Sequence, residues 1–318
     1  MQVTTASPLG GVADTDLRLL RVFKAVVECG GMASAELELN TAVSTISRHV
    51  KDLETRLGLV LCRRGRAGFA LTPEGEQVYD AALRLLAATE TFRGQVHEVH
   101  RRLGGDLHVA LFEKTASNPE AHIAEAVARF RRIAPAATLH LHVGTIGMIE
   151  KGVIDGRYHL GIIPEHRRSD TLRYQPLFGE TMQLYAGRGH PWFDPEAQPG
   201  WDGLRRERLA ALGYHSPNMA LAHERRLERS ATASDQEAVA TLVLSGAFVG
   251  FLPDHYAAGF VAAGRVRAVS PAVLHYTCQF SAITRHSPRP LRLAQAFWDA
   301  LVTEHPARPA PQTTEPGS

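Results

Sequence analysis

Between Val43 and Leu57 the chain sets short hydroxyls and cations into the gaps of an apolar pattern. Val43, Ile46, Val50, Leu53 and Leu57 are spaced 3, 4, 3 and 4, the period that gathers them on one buried helical face. Ser44, Thr45, Ser47, Arg48 and Lys51 fall between them and collect on the opposite face, with Thr41 just ahead. Short donors and acceptors suit base edges in a major groove, and cations suit phosphates. Arg48 is placed to reach a base edge or an adjacent phosphate; Lys51 and Arg66 are placed for phosphates or the minor groove. Val43 sits near the buried face and offers at most an apolar contact, for instance to a thymine methyl. From Asn40 to Thr72 the six cations Arg48, Lys51, Arg56, Arg63, Arg64 and Arg66 face only Asp52 and Glu54, a surplus of four. Alone, that surplus would describe a solvated basic face; within this helical pattern it describes a phosphate footprint.

Holding such a face in place requires a helix-turn-helix and something behind it. A first helix is predicted from a cap at Asp14 or Thr15 to Cys29, stopped by Gly30-Gly31, and a second to Leu39. Asn40 makes the turn into the third helix, because Asn tolerates the left-handed conformation that a tight interhelical turn needs. Gly58 ends that helix. The basic segment Arg63 to Gly68 is predicted as a hairpin wing between strands Leu59 to Cys62 and Phe69 to Leu71. Thr72-Pro73-Glu74 combines a hydroxyl cap, a first-position proline and an acid, a strong helix start. In the helix it opens, Val78, Ala82, Leu85, Thr89, Phe92, Val96, Val99 and Leu103 keep a heptad seam. A seam so narrow needs a partner, either the same chain or a second copy. Gly104-Gly105 breaks the helix away from the next segment, which favours dimerisation through Val78, Ala82, Leu85, Phe92, Val96 and Val99.

From Asp106 strands and helices alternate, which predicts a mostly parallel sheet covered on both sides. The predicted strands are Leu107 to Phe112, Thr138 to Val143, Tyr158 to Ile163, Gln183 to Ala186 and Ala247 to Leu252. Helices are predicted from Asn118-Pro119-Glu120 to Ile133, from Ile146 to Ile154, and after Ser234. Ligands of open α/β sheets sit beyond the carboxyl ends of strands, where helix N-termini offer amide donors. The candidates there are the stretch Glu113 to Asn118 with Thr115, Ser117 and Asn118, then Gly144 and Thr145, then Ser234, which with Glu237 has a capping-box spacing. Their hydroxyls can cap helices or face a ligand. His166, at the expected crossing of the chain, and His215, in an irregular loop, complete the candidate set. The donor-rich loops lean toward an anionic group on the ligand, and Asp235 and Glu237 count against strong anion selectivity.

A chain of 318 residues with 44 % hydrophobic and 21 % charged residues can bury two or three cores, and its net charge of +2 names no partner. The three cysteines, Cys29, Cys62 and Cys278, give neither a disulfide framework nor metal spacing. The histidines give no metal-ligand set; His140 and His142 share a strand face in a structural role. No metal and no cofactor is expected. There is no signal-peptide pattern and no apolar run near the ~20 residues of a membrane span, so a cytoplasmic protein is expected. No nucleophile elbow, phosphate loop or zinc-protease motif points to an enzyme. A solute-binding module fits the second half of the chain but leaves the first unexplained.

The chain resembles the LysR-type transcriptional regulators over nearly its whole length. The resemblance rests on Leu20-Arg21-Val22-Phe23, Gly30-Gly31, Ser47-Arg48, Leu53-Glu54, Leu57-Gly58 and Leu71-Thr72-Pro73-Glu74-Gly75. Further along, Gly156 to Ile162 resembles the family's G-x-x-D-hydrophobic strand, with His159 in place of Asp, and Ala238 to Pro253 resembles its V-x-x-G-x-G stretch. Many members carry Gln where Val43 stands, and the usual Leu-Phe-x-Arg is here Leu61-Cys62-Arg63-Arg64; Cys62 is read as a core substitution, with a redox role as the alternative. The resemblance implies a multidomain α/β protein. A winged helix-turn-helix over 14–72 would lead into a coiled-coil linker helix over 73–104. A periplasmic-binding-protein-like effector domain would follow over 105–305, its subdomains being about 105–165 with 266–305, and about 166–265. Residues 1–13 and 306–318 are expected to be disordered. The implied partners are double-stranded promoter DNA, a small-molecule effector, and further copies of the chain in a dimer or tetramer, with RNA polymerase a candidate.

Overall fold

The computed structural model of the chain describes residues 11–65, 68–99, 103–287 and 290–306. Of the residues singled out above, Arg66 lies outside them, as do the side chains of Arg64 and Val99 and most of both termini. The chain divides into two compact units, one up to Arg93 and the other from Gly94, with Asp155–Arg157 grouped with the first.

The first unit is built from α1 (Asp14–Glu28), α2 (Ala35–Leu39), α3 (Val43–Leu57), the antiparallel strands β1 (Cys62–Gly65) and β2 (Gly68–Leu71), and the start of α4 (Pro73–Val99). Neither Asp14 nor Thr15 caps α1: Ala13 is the cap, and the Asp16 carboxylate accepts its N–H at 2.8 Å. Asn40 (φ 45°) and Gly58 (φ 67°) take the left-handed conformations their positions predict. The first wing strand starts at Cys62, not Leu59. Leu61 is fully buried, and its N–H donates to Glu54 Oε1 at 2.8 Å, so this stretch is tied to α3 instead of joining the sheet. At the start of α4, Thr72 Oγ1 accepts the Gly75 N–H at 2.9 Å while its hydroxyl donates to the Val60 carbonyl at 2.6 Å. A Cβ on Gly75 would stand 1.9 Å from the Leu61 carbonyl oxygen, so only glycine fits this turn.

Two small cores hold the unit together. Leu19, Leu20, Phe23, Leu53, Leu61 and Ala82 form one, with Val78 and Leu85 packed against it. Val22, Val26, Met32, Ala35, Ile46 and Val50 form the other, with Val43 and Cys62 packed against it. The seam of α4 is therefore divided. Val78, Ala82 and Leu85, read above as dimer contacts, serve their own chain's core, whereas Phe92 and Val96 are 66 % and 42 % exposed. Heptad spacing reports that a face is buried, not which chain buries it.

The second unit begins with β3 (Gly104–Leu111), α5 (Ile123–Ile133), β4 (Ala136–Val143), α6 (Ile146–Ile154) and β5 (Leu160–Pro164), in which β3 runs parallel to β4 and β5. The chain then enters the long strand β6 (Leu172–Gly187) and continues through α7 (Trp201–Leu204), β7 (Leu209–Leu212), α8 (Pro217–Glu224) and β8 (Arg229–Ala233). After α9 (Gln236–Leu244) come β9 (Val249–Pro253), α10 (Asp254–Ala262), β10 (Val266–Ala268), β11 (His275–Arg285) and α11 (Arg292–Glu304). The sheet order is β4-β3-β5-β11-β6-β9-β7-β8, with β10 beside β6. The expected mostly parallel sheet is thus corrected to a mixed one. Two parallel groups, β4-β3-β5 and β9-β7-β8, flank the antiparallel pair β6 and β11, which join them. Helix α5 starts at Ile123, not at Asn118, because Asn118 Oδ1 accepts the Glu120 N–H at 2.9 Å in a turn and His122 (φ 39°) bends the chain once more. Phe130, Phe280 and Phe297 are fully buried in the larger core, and Leu184, Val249 and Phe251 lie in a second one.

Candidate functional site

The nucleic-acid face is laid out by α3. Ile46, Val50 and Leu53 are fully buried, and burying each contributes about 1.5–3 kcal/mol to holding the helix. Ser44, Arg48 and Lys51 are exposed on the other side, with Thr45 and Ser47 half-buried beside them. Thr41 donates its hydroxyl to the Leu39 carbonyl at 2.9 Å, which leaves its oxygen as an acceptor, and Val43 packs against the core. Arg56 leaves the phosphate footprint as well. Its guanidinium grips Asp16 through Nε–Oδ1 at 2.5 Å and Nη2–Oδ2 at 3.0 Å, locking α3 onto α1. Those hydrogen bonds, with that from Ala13, hold the Asp16 carboxyl below its ordinary range. Glu54 is spent on the Leu61 and Cys62 amides. Arg48 and Lys51 remain the exposed cations of the recognition face.

In the second unit a cavity of about 600 Å³ opens where strands of both parallel groups end. Glu113 and Lys114 follow β3, Val143, Gly144 and Thr145 close β4, Tyr214 follows β7, and Ser234 and Asp235 follow β8; Met148 and Glu237 complete the lining. Gly144, Thr145 and Ser234 are thereby brought together as the sequence predicts. Ser234 does not cap α9, however. Asp235 does, accepting the Ala238 N–H at 2.8 Å, and Ser234 donates to Asp235 Oδ2 at 3.2 Å. Glu237, expected in the capping box, instead takes Lys114 Nζ and the Tyr256 hydroxyl, each at 2.7 Å. Glu113 accepts the Gln236 N–H at the head of α9 at 2.7 Å. Burial nonetheless pushes its carboxyl up to about 7, and Asp235 adds to the push. Burial also raises the Tyr214 phenol, helped by Glu113 and Asp235. Sequence reasoning placed the ligand at the Glu113 to Asn118 stretch but chose its hydroxyl and amide residues over Glu113 and Lys114, and it did not single out Met148 or Tyr214. Only Glu113 and Lys114 carried a signal, as a charged pair directly after a predicted strand.

The other candidates fall elsewhere. Asn118 lines a second cavity of about 380 Å³ with Gly179, Glu180, Thr181, Asp254 and His255. Ser117 lines neither cavity; its hydroxyl meets His255 Nδ1 at 2.9 Å, and His255 Nε2 meets the buried Glu180 at 2.9 Å. Thr115 is buried in the turn before Asn118. His166 and His215 pack edge to face at 5.1 Å, outside both linings. On β3 and β4, the His140 ring stacks on His108 at 4.4 Å, and His142 Nε2 lies 3.1 Å from His108 Nδ1. Among the described residues no group of three or more His, Cys, Asp or Glu could hold a metal ion. His159 Nδ1 accepts the His108 N–H at 3.0 Å. Burial pushes His159 down to about 4, which keeps the ring neutral and able to accept.

A winged helix-turn-helix with an outward polar helix face, and a two-group α/β sheet with a cavity at its strand ends, define the class of ligand-responsive DNA-binding regulators. Residues 17–76 match the bacterial regulatory helix-turn-helix protein, lysR family, and residues 100–306 match the LysR substrate binding domain. The transcriptional activator BauR of Pseudomonas aeruginosa is 41 % identical over 295 residues, spanning 92 % of this chain and 97 % of that protein. In fold, the chain is similar to full-length CbnR complexed with its target DNA (TM-score 0.63, 21 % identity, 91 % and 99 % of the two chains). It is likewise similar to a full-length OxyR variant from Pseudomonas aeruginosa (TM-score 0.57, 20 % identity, 97 % and 100 %). The chain belongs to the LysR family of transcriptional regulators, which bind DNA and small-molecule effectors and are not enzymes. Among the described residues no helix is long and apolar enough to cross a membrane.

Proposed function

We propose that this chain is a cytoplasmic, homodimeric activator of transcription whose effector occupies the cavity lined by Glu113, Thr145, Tyr214 and Asp235. The observation that carries this reading is the placement of the cavity at the carboxyl ends of strands from both parallel groups. A ligand there touches both groups at once, so its differential affinity for two arrangements of them shifts the equilibrium that DNA binding senses. The likeness to the activator BauR supports activation over repression. Arg48 reads a base edge and Lys51 a phosphate, with Ser44, Thr45 and Ser47 beside them. Phe92 and Val96, the exposed seam residues, pair two chains, so that two half-sites lie about one helical turn apart, ~34–36 Å, or a multiple. The test is footprinting of the chain's own upstream region with and without a ligand found by thermal-shift screening. A ligand-dependent change in the footprint, lost or weakened when Gly144→Leu adds bulk at the cavity lining, is the expected result. An unchanged response in that variant moves the effector elsewhere.

A further inference from the structure

The 600 Å³ cavity is acidic. Glu113, Asp235 and Glu237 line it against a single cation, Lys114. Glu237 is already matched, since Lys114 Nζ donates to it at 2.7 Å while lying 4.3 Å over the Tyr256 ring. Among the described residues Glu113 and Asp235 receive neutral donors: the Gln236 amide for the first, the Ala238 amide and the Ser234 hydroxyl for the second. Among the described residues, two carboxylates thus share one wall with no further cation in the lining to balance them, and Tyr214 adds an aromatic ring to the same lining. A ligand anion placed there would meet repulsion from both. A ligand ammonium would take up oxygen sites on Glu113 and Asp235 and the face of an aromatic ring, the combination that holds organic cations in proteins.

We propose that the cavity selects a small metabolite carrying a primary ammonium group, held by Glu113 and Asp235 beside Tyr214. The proposal rests on the reading that this cavity is the effector site, and it reverses the preference for an anionic group that the donor-rich loops suggested. Val143 and Met148 offer the apolar side of the lining to the carbon skeleton of such a ligand.

Calorimetry and thermal shift on the full-length protein test this with four probes of one four-carbon skeleton: n-butylamine, 4-aminobutanoate, butanoate and butanedioate. The two amines are expected to bind at least tenfold more tightly than the two carboxylates without nitrogen. Glu113→Gln keeps an oxygen for the Gln236 amide but removes the charge, and is expected to weaken amine binding by about ten- to a hundredfold. Equal or tighter binding of butanoate or butanedioate, abolished by Gly144→Leu, overturns the ammonium assignment while the effector cavity stands. Amine binding that Gly144→Leu leaves intact places the amine outside this cavity and overturns both readings. A Cβ on Gly144 meets nothing nearer than the Met148 side chain at 3.7 Å, so the backbone there has room for a side chain beside the lining residue Met148. Failure of all four probes to bind at about 10 mM, a concentration corresponding to about −2.7 kcal/mol of binding free energy, also overturns the ammonium assignment.

Discussion

Two carboxylates, Asp16 in the DNA-binding unit and Glu113 in the α/β unit, show how differently the two halves use a withdrawn charge. Asp16 is buried against a bidentate arginine, and its carboxyl is held below the ordinary range. Glu113 is half-buried beside another carboxylate, receives one backbone amide, and is pushed up to about 7. The first arrangement is matched in charge: Asp16 takes both arms of Arg56 and the Ala13 amide from within the chain, and its work is to fix α3 on α1. The second is incomplete in charge. An unmatched acid in a cavity is costly unless something from outside completes it, which is why perturbed groups gather at functional sites. The same contrast runs through the backbone. The first unit is closed tightly enough that Gly75 has no room for a methyl group, whereas Gly144 at the cavity has space around its Cβ position.

The tight closure of the first unit makes Gly75 the site of the largest expected effect. Gly75→Ala drives a methyl into the Leu61 carbonyl, and urea unfolding should show a loss of about 3 kcal/mol or more in the DNA-binding unit; a loss under about 1 kcal/mol would mean that the turn yields. Phe92→Glu puts a charge on the exposed part of the α4 seam, and light scattering should show the dimer giving way to monomer. A wild-type protein already monomeric at micromolar concentration would end the pairing through this helix.

On the recognition face the effects are smaller and separable. Arg48→Ala should cost about 1–3 kcal/mol of operator affinity and relax sequence preference. Lys51→Ala should weaken binding to all sequences and flatten its salt dependence, as the loss of one phosphate contact requires. Competition gel shifts with specific and random duplexes distinguish the two.

The smallest effect sharpens the Glu113 side. An ammonium ligand binds the ionised carboxylate. Below a pKa of about 7 the protonated acid must first release its proton, so affinity should fall toward tenfold per pH unit as pH drops. Above that value it should level off. Lys114, Asp235, Glu180 and Tyr214 are the other titratable groups acting with Glu113, and Glu113→Gln should flatten the profile between about pH 6 and 8. A wild-type profile flat across that window would separate ligand binding from this carboxylate.

The recognition helix was legible in the residues because its information is local. The alternation of Ile46, Val50 and Leu53 with Ser44, Arg48 and Lys51 lies within a few turns, and Asn40, Gly58 and Thr72 mark the ends of elements through their own backbone or side-chain chemistry. Where those residues point comes from a period of about 3.6 and needs no knowledge of the rest of the chain. Tertiary structure decided what local pattern cannot carry. It sent Val78, Ala82 and Leu85 of one continuous seam into the chain's own core while Phe92 and Val96 stayed outside. It made β6 and β11 the antiparallel centre of a sheet that alternation alone describes as parallel. It also carried Glu113, Tyr214 and Asp235, far apart in the chain, to one cavity wall. The charge of that wall is a sum over strand ends that only the sheet order brings together, and the proton affinity of Glu113 depends on a burial and a neighbour that do not exist until the chain has folded.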